Sequence, residues 1–159
     1  MPSVTPGRIT ADLTEPVVVF LIGMRVNRWW KVRRWSQVAR AMPKMMAALQ
    51  SDPELGLLHV ENFSRGRTSM SVQYWRSHDH LDRFAKARDL PHAEPWARFM
   101  RELSGSGDVG IYHETYLVAP GTVESVYGDM PTFGLAAAVG ATPVTPGRNT
   151  GRQRLGRVS

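Results

Sequence analysis

The segment PVVVFLIGMRVN, residues 16–27, is a run of β-branched and other apolar residues whose first charge is Arg25. Such a run is typical of a strand that is buried on both faces, and we call it strand one. If helices cover one face of its sheet, the apolar side chains on the other face still need a cover. Strand one therefore predicts a helical layer on one side of the sheet and a further cover on the other.

The elements that follow strand one can be predicted from hydrophobic periodicity. Apolar residues recur at three- and four-residue steps over residues 32–49, which predicts an amphipathic helix that Pro43 kinks or splits. The alternating segments 57–63 and 68–75 flank the basic turn SRGR. They predict a hairpin made of strands two and three.

A second helix and a fourth strand complete the pattern. Ser77 is a suitable N-cap for a helix that begins HDHLDRFAKA, and Pro91 interrupts that helix. The stretch VGIYHETYLV, residues 109–118, predicts strand four. The order β-α-β-β-α-β predicts a ferredoxin-like α+β fold, in which an antiparallel sheet carries both helices on one side.

The uncovered face of this sheet predicts self-association. A second copy of the sheet is the simplest cover for the apolar side chains, so a homodimer is expected. Residues 122–140 have no strong period, and we expect them to wrap over the partner or to close the mouth of a pocket.

Composition divides the 159 residues into a domain over 1–140 and a basic, flexible tail over 141–159. The tail holds four arginines and no acid, so it supplies +4 of the formal net charge of +6. Its Thr, Pro, Gly and Arg residues cannot bury enough surface to order it. Because aromatic residues are not interleaved with these charges, no nucleic-acid partner is expected.

Several chemistries and locations are excluded by the residues that the chain lacks. It has no cysteine, which rules out disulfides, thiolate catalysis and Cys-bound metals. His78 and His80 lie two positions apart on a helix and point away from each other, so no protein-bound metal is expected. No signal-peptide pattern and no run of the ~20 apolar residues that span a bilayer is present, which predicts a cytoplasmic protein without a membrane partner.

Seven segments together resemble an uncharacterised family of small bacterial and fungal proteins. The segments are VVVFLIGMRVN, AMPKMMAALQ, PELGLLHVENF, VQYWRSHDHLDRFA, LPHAEPWARF, VGIYHETYLV and YGDMPTFGL. They follow one another with the spacing of a single domain and cover roughly residues 6–140. The family is grouped with the monooxygenase of the fumagillin pathway inside the dimeric α/β-barrel superfamily, so the resemblance implies a dimeric α/β barrel.

The resemblance implies an activity in broad terms, because one fold hosts many chemistries. The superfamily includes cofactor-free antibiotic-biosynthesis monooxygenases, haem-degrading oxygenases and aldoxime dehydratases. It implies a monooxygenase-like tailoring enzyme of secondary metabolism, which acts on a small apolar molecule and molecular oxygen between the sheet and its helices and requires no cofactor. Two alternatives stay open. One is a haem b enzyme, an oxygenase or aldoxime-dehydratase-like protein with a histidine axial ligand, and the other is a non-catalytic dimer that binds a hydrophobic ligand.

Two histidines are the candidate catalytic groups. His113 and Glu114 are neighbours in strand four and face opposite sides of the sheet, so one of them must be buried or line a cavity. By the resemblance, His92 in LPHAEPW lies where haem-degrading relatives carry an axial histidine. A position at the start of a helical piece favours the neutral imidazole that a general base or an iron ligand needs. For both residues the alternative is a structural, hydrogen-bonded histidine.

Further residues are predicted to contact the substrate. They are Asn27 at the end of strand one, Tyr74 and Trp75 on opposite faces of strand three, Trp96 on the second helix, and Arg25 at the pocket mouth. Arg25 would grip a carboxylate or a haem propionate, although a basic run such as residues 25–34 is usually a solvated face. The aromatic residues are alternatively core residues. Glu114 is expected to pair with Arg25 or His59.

Overall fold

The computed structural model describes residues 3–87, 97, 101 and 105–155. The strands are β1 Thr5–Ala11, β2 Val17–Val26, β3 Leu57–Arg65, β4 Thr68–Trp75, β5 Val109–Val118, β6 Tyr127–Met130 and β7 Ala141–Pro143. The helices are α1 Val32–Ser51, α2 His78–Lys86, α3 Gly134–Val139 and α4 Gly151–Arg154, with short 3-10 turns at Pro53–Leu55 and Pro146–Arg148.

The main sheet has the strand order β3-β4-β2-β5, and all its pairings are antiparallel. The predicted strand one therefore corresponds to β2. It lies between β4 and β5, which correspond to the predicted strands three and four. This order confirms the predicted ferredoxin-like α+β fold. Along β2, Val18 is opposite both Trp75 and Leu117, and this register fixes which side chains of the neighbouring strands share a face.

The two helices α1 and α2 cover one face of the main sheet, which we call the helix face. Val18 and Trp75 of the sheet pack there with apolar side chains from both helices. The helical members of this core are Met46, Leu49, Leu81 and Phe84. The opposite side of the sheet is called the second face.

Helix α1 continues through Pro43 as one element of 20 residues. Of the two effects predicted for Pro43, the split was therefore wrong, and the kink stays a prediction. A proline removes one backbone hydrogen bond, but Met46 and Leu49, one and two turns beyond it, are buried in the core. Their packing against the sheet stabilises the part of the helix that follows the proline.

The N-terminal and C-terminal segments form a second, smaller sheet of order β6-β1-β7 that the sequence did not predict. Helix α3 lies between this sheet and the main one, where it contacts β1, β3 and β4. Phe133 at its N-terminus packs edge-to-face on Phe63 of β3. Residues 127–139 therefore cover part of the second face within the same chain. They supply part of the cover that the apolar strand one was predicted to need.

The prediction of a flexible tail over 141–159 does not fit the structure of residues 141–155. Ala141–Pro143 pair with β1, and a capping box between Thr150 and Gln153 starts α4. The Arg154 side chain is only 8% exposed, and its Nε donates to Glu124 Oε2 at 2.8 Å. One buried, paired arginine and a strand edge supply the order that composition could not predict.

Candidate functional site

His113 lies on the helix face of β5. It pairs with Ile22 of β2, and the same face of β5 carries Val109, which packs with Trp35 of α1. The imidazole centroid is 5.7 Å from the ring centroid of Phe20. Further along this face Leu117 is 75% exposed. His113 and Glu114 are both exposed, so the prediction that one of them is buried or lines a cavity was wrong. On the helix face His113, Phe20 and Leu117 form a largely apolar strip that also contains Thr115.

The other candidate catalytic histidine, His92, and the predicted substrate contact Trp96 lie outside the described residues. Their roles therefore remain predictions. Within the described ranges His113 lies beside Phe20, whereas the four predicted substrate contacts there, Asn27, Tyr74, Trp75 and Arg25, make their hydrogen bonds or ring contacts elsewhere.

Glu114 lies on the second face and pairs with a side chain of its own strand. Its carboxylate accepts a short hydrogen bond from the Tyr116 hydroxyl. This bond, together with the negative charge of Glu114, raises the pKa of Tyr116. The prediction that Glu114 would pair with Arg25 or His59 was wrong, because residues two apart on a strand share a face and the tyrosine is the nearer partner.

A cluster of polar side chains lies on the second face below α3. His59 Nε2 and Glu61 Oε1 are 2.8 Å apart, and the Tyr74 ring lies 6.2 Å from the His59 ring. Burial raises the pKa of Tyr74, and the nearby Tyr127 and Glu61 raise it further. Tyr74 belongs to this cluster on the second face, so it lies on the opposite side of the sheet from His113. The sequence pattern gave no sign of the His59–Glu61 pair.

The remaining predicted substrate contacts, Trp75, Asn27 and Arg25, take part in packing or hydrogen bonds within the protein. Trp75 is fully buried, donates from Nε1 to Gln73 Oε1 at 3.0 Å and packs on Phe84, so it has no surface to offer a ligand. Asn27 donates from Nδ2 to the Gly107 carbonyl at 3.3 Å. Arg25 is exposed on the second face, where its Nη1 lies 3.4 Å from Thr68 Oγ1.

The basic run of residues 25–34 is organised around a carboxylate that is remote in sequence. Asp108 is 1% exposed and accepts from Arg28 at 2.9 Å, Lys31 at 3.0 Å and Arg34 at 2.8 Å. The hydrogen bond from Lys31 is the main cause that lowers the pKa of Asp108. These three cations therefore share one structural acid while their side chains stay partly exposed.

A cavity of about 240 Å³ lies at the small sheet, away from His113. It is lined by Thr10, Ala11, Asp12, Leu13, Pro120, Gly121, Val123, Ser125, Leu135, Arg148 and Arg154. Sequence reasoning missed it because its walls come from β1, the loop after β5, α3 and the C-terminal segment, which are all far apart in the chain.

The described residues do not fit a haem site around His113. Arg25, the predicted propionate partner, lies on the second face of the sheet, and the neighbouring Arg28 is bound to Asp108, so neither arginine is beside the imidazole. Within the described ranges, no cluster of three or more His, Asp or Glu side chains could hold a metal ion. None of the helices in those ranges is long and apolar enough to cross a bilayer.

A family model for monooxygenase af470-like proteins matches residues 17–135, a range that includes the whole main sheet. The chain belongs to this family. The resemblance found in the sequence is thereby confirmed. The monooxygenase af470 of Aspergillus fumigatus is 30% identical to this family member over 80% of this chain and 52% of that protein. The chain thus spans about half the length of this curated relative.

Two solved structures that are similar to this chain are enzymes of different kinds. A crystal structure of aldoxime dehydratase in complex with butyraldoxime matches with a TM-score of 0.67 and 14% identity, over 87% of this chain and 42% of that one. SnoaB, a cofactor-independent oxygenase from Streptomyces nogalater, matches with a TM-score of 0.42 and 18% identity, over 63% and 90%. The aldoxime dehydratase match supports the ferredoxin-like fold of this af470-like family member.

Proposed function

We propose that this chain catalyses a monooxygenase-type reaction on a small apolar molecule, with His113 as the base. Membership of the af470-like family supports an oxygenase. The observation that carries the residue assignment is the imidazole of His113, 5.7 Å from Phe20 on an apolar strip of the helix face. An imidazole there can take a proton from a substrate that is held by apolar contacts.

The chemistry needs few groups from the protein. His113 removes a proton from a methylene that is acidified by neighbouring carbonyl or aryl groups, and the resulting carbanion gives its electrons to molecular oxygen. One oxygen atom is retained as a carbonyl and the other leaves as water, so CH₂ and O₂ become C=O and H₂O. The substrate is the reductant, and the protein contributes orientation and proton transfer.

Assembly and context belong to the same proposal. A second copy of the chain would cover the part of the second face that α3 leaves open, where Tyr112 and Tyr116 are exposed on β5. We place this dimer in the cytoplasm as a tailoring enzyme of secondary metabolism, with His92 and Trp96 as further site residues.

Oxygen consumption tests the proposal with an anthrone such as dithranol, whose central methylene is acidic. We expect His113→Ala and His113→Gln to lose at least about tenfold in rate above the uncatalysed oxidation, since general bases contribute ~10²–10⁴-fold. His78→Ala, at an exposed histidine of α2, is the matched control and should keep the wild-type rate. Full activity in both His113 variants would refute the assignment.

The two alternatives predict different signals. For a haem enzyme, haemin added to the purified chain should give a shifted Soret band that His113→Ala or His92→Ala abolishes. For a non-catalytic binding dimer, apolar ligands should bind without oxygen consumption in any variant. The cofactor-free enzyme should consume oxygen with no Soret shift.

A further inference from the structure

The turn between β2 and α1 exposes two adjacent tryptophans. Trp29 is 58% exposed and Trp30 is 61% exposed, and Val32 beside them is exposed as well. The two indole rings meet edge-to-face, with centroids 6.2 Å apart and planes at 83°. Large aromatic residues in a contiguous exposed group usually mark an interaction surface.

The tryptophans are presented by a braced turn. Arg28, Lys31 and Arg34 all bind the buried Asp108, so both ends of the turn are fixed to the start of β5. Trp35 Nε1 donates to the Trp29 carbonyl at 2.9 Å. These bonds fix the backbone of the turn and leave the two indole rings exposed to solvent. The exposure of the indoles is therefore a consequence of the folded structure.

The same end of the main sheet carries the excess positive charge of the chain. The β3–β4 turn lies next to the tryptophan turn, because Val26 N donates to the Arg67 carbonyl at 2.8 Å. The cations at this end are Arg25, Arg28, Lys31, Arg33, Arg34, Arg65 and Arg67. Within residues 25–35, 64–68 and 105–110 the one acid is Asp108, so this end has a net charge of +6, equal to the formal net charge of the whole chain.

We propose that Trp29, Trp30, Val32 and these seven cations, together the basic tryptophan surface, dock onto an anionic lipid bilayer surface. Tryptophan prefers the headgroup level of a bilayer, and arginine and lysine bind the phosphates and carboxylates of anionic lipids. The proposed contact is peripheral and does not span the bilayer. It differs from the prediction of no membrane partner that was made from the sequence. It does not depend on the proposed reaction.

Two other occupants fit the surface less well. Single-stranded nucleic acid stacks its bases on aromatic planes that follow one another along a groove, whereas these indole planes stand at 83° and Val32 offers no stacking face. A second copy that docked through the same surface would bring +6 against +6, which is repulsive, whereas the second face proposed for the homodimer is a different surface. An anionic bilayer complements both the charge and the apolar tip.

Vesicle co-sedimentation of the full chain tests the proposal. We expect binding to vesicles that contain phosphatidylserine, weak binding to pure phosphatidylcholine vesicles, and loss of binding on addition of salt. Trp29→Ser/Trp30→Ser and Arg33→Glu should each lower the partition coefficient by at least about fivefold. Val4→Ser and Arg83→Glu are matched controls at an exposed apolar and an exposed basic position elsewhere, and they should bind as the wild type does.

The outcomes that overturn the proposal are distinct. Equal binding by all variants, or no binding to the anionic vesicles at low salt, would refute it. Binding of a single-stranded oligonucleotide that requires Trp29 and Trp30, with no vesicle binding, would assign the surface to nucleic acid. Self-association lost only in Trp29→Ser/Trp30→Ser would assign it to a second copy. Circular dichroism and a thermal melt establish that each variant is folded, and Trp29→Phe/Trp30→Phe, which keeps the aromatic rings, should retain most of the binding.

Discussion

The Lys31 ammonium lies 3.0 Å from both carboxylate oxygens of Asp108, although 77 residues separate the two in the chain. The carboxylate is buried, and Arg28 and Arg34 bind it from the same turn. A buried acid with three cationic partners is a tether, because removing the acid leaves the cations at the turn without a counter-charge. This pair therefore joins the start of β5 to the β2–α1 turn and fixes the position of Trp29 and Trp30.

Asp108→Asn should destabilise the fold and make its stability less dependent on acid pH. The pKa of Asp108 is lowered in the folded state, so its contribution is present above the ordinary aspartate pKa of about 3.9 and is lost as the pH falls below that value towards the folded pKa. Thermal melts of the wild type should therefore fall more steeply in this acid range than melts of the variant. Asp12→Asn, at an exposed aspartate, is the control and should follow the wild-type curve.

Gly23→Ala should destabilise the centre of the main sheet. A Cβ at position 23 would lie 2.6 Å from the Ser69 carbonyl oxygen and 2.5 Å from Tyr112 Cε1. The backbone oxygen cannot move away without disturbing the β2–β4 pairing, so we expect a loss of about 1–3 kcal/mol in the free energy of unfolding. Gly110→Ala, on neighbouring β5, would meet nothing closer than Asn27 Nδ2 at 3.7 Å. In urea titrations the second variant should be within about 0.5 kcal/mol of the wild type, and equal losses would contradict the steric argument.

Glu114→Gln should lower the pKa at which Tyr116 ionises. In the folded chain the hydrogen bond to Glu114 favours the neutral phenol and raises the pKa of Tyr116. A raised pKa means that this contribution to stability is present below the ordinary tyrosine pKa of ~10 and is lost as the pH rises through the folded value. Tyrosinate absorbance during an alkaline titration measures the shift, and Tyr116→Phe identifies which of the four tyrosines is responsible. An unchanged titration in Glu114→Gln would show that the pair does not form in solution.

The ferredoxin-like core could be predicted because each of its elements has a local signal. Strand β2 is a long apolar run, β5 and the β3–β4 hairpin are bounded by turn residues, and Ser77 caps α2 as its position suggested, accepting from His80 N. The face of His113 could not be predicted, because both faces of β5 carry apolar and polar residues alike. It became known only from the pairing of His113 with Ile22.

The small sheet and the Asp108 tether could not be predicted because they depend on contacts between distant segments. Strand β7 has three residues and ends in a proline, and β6 contains Gly128 and Asp129, so neither has the alternation that marks a strand. The basic run of residues 25–34 contains no acid of its own, and nothing in the sequence links it to Asp108. At the small sheet and at Asp108, contacts with a distant segment of the chain determine the structure, and the local composition does not.

Arg154→Ala should release the C-terminal segment from β1. The Arg154 side chain is nearly buried, and besides Glu124 it binds the carbonyls of Arg148 and Asn149 through Nη1 at 3.1 and 2.9 Å. Truncation removes these charge-assisted hydrogen bonds, and we expect a net loss of about 1–3 kcal/mol in the free energy of unfolding. Because the loss falls on one edge of the small sheet, trypsin should cut after Arg148 and Arg152 faster in this variant. Arg152→Ala removes an exposed arginine and should not speed cleavage after Arg148; equal cleavage there in both variants would mean that Arg154 does not hold the segment.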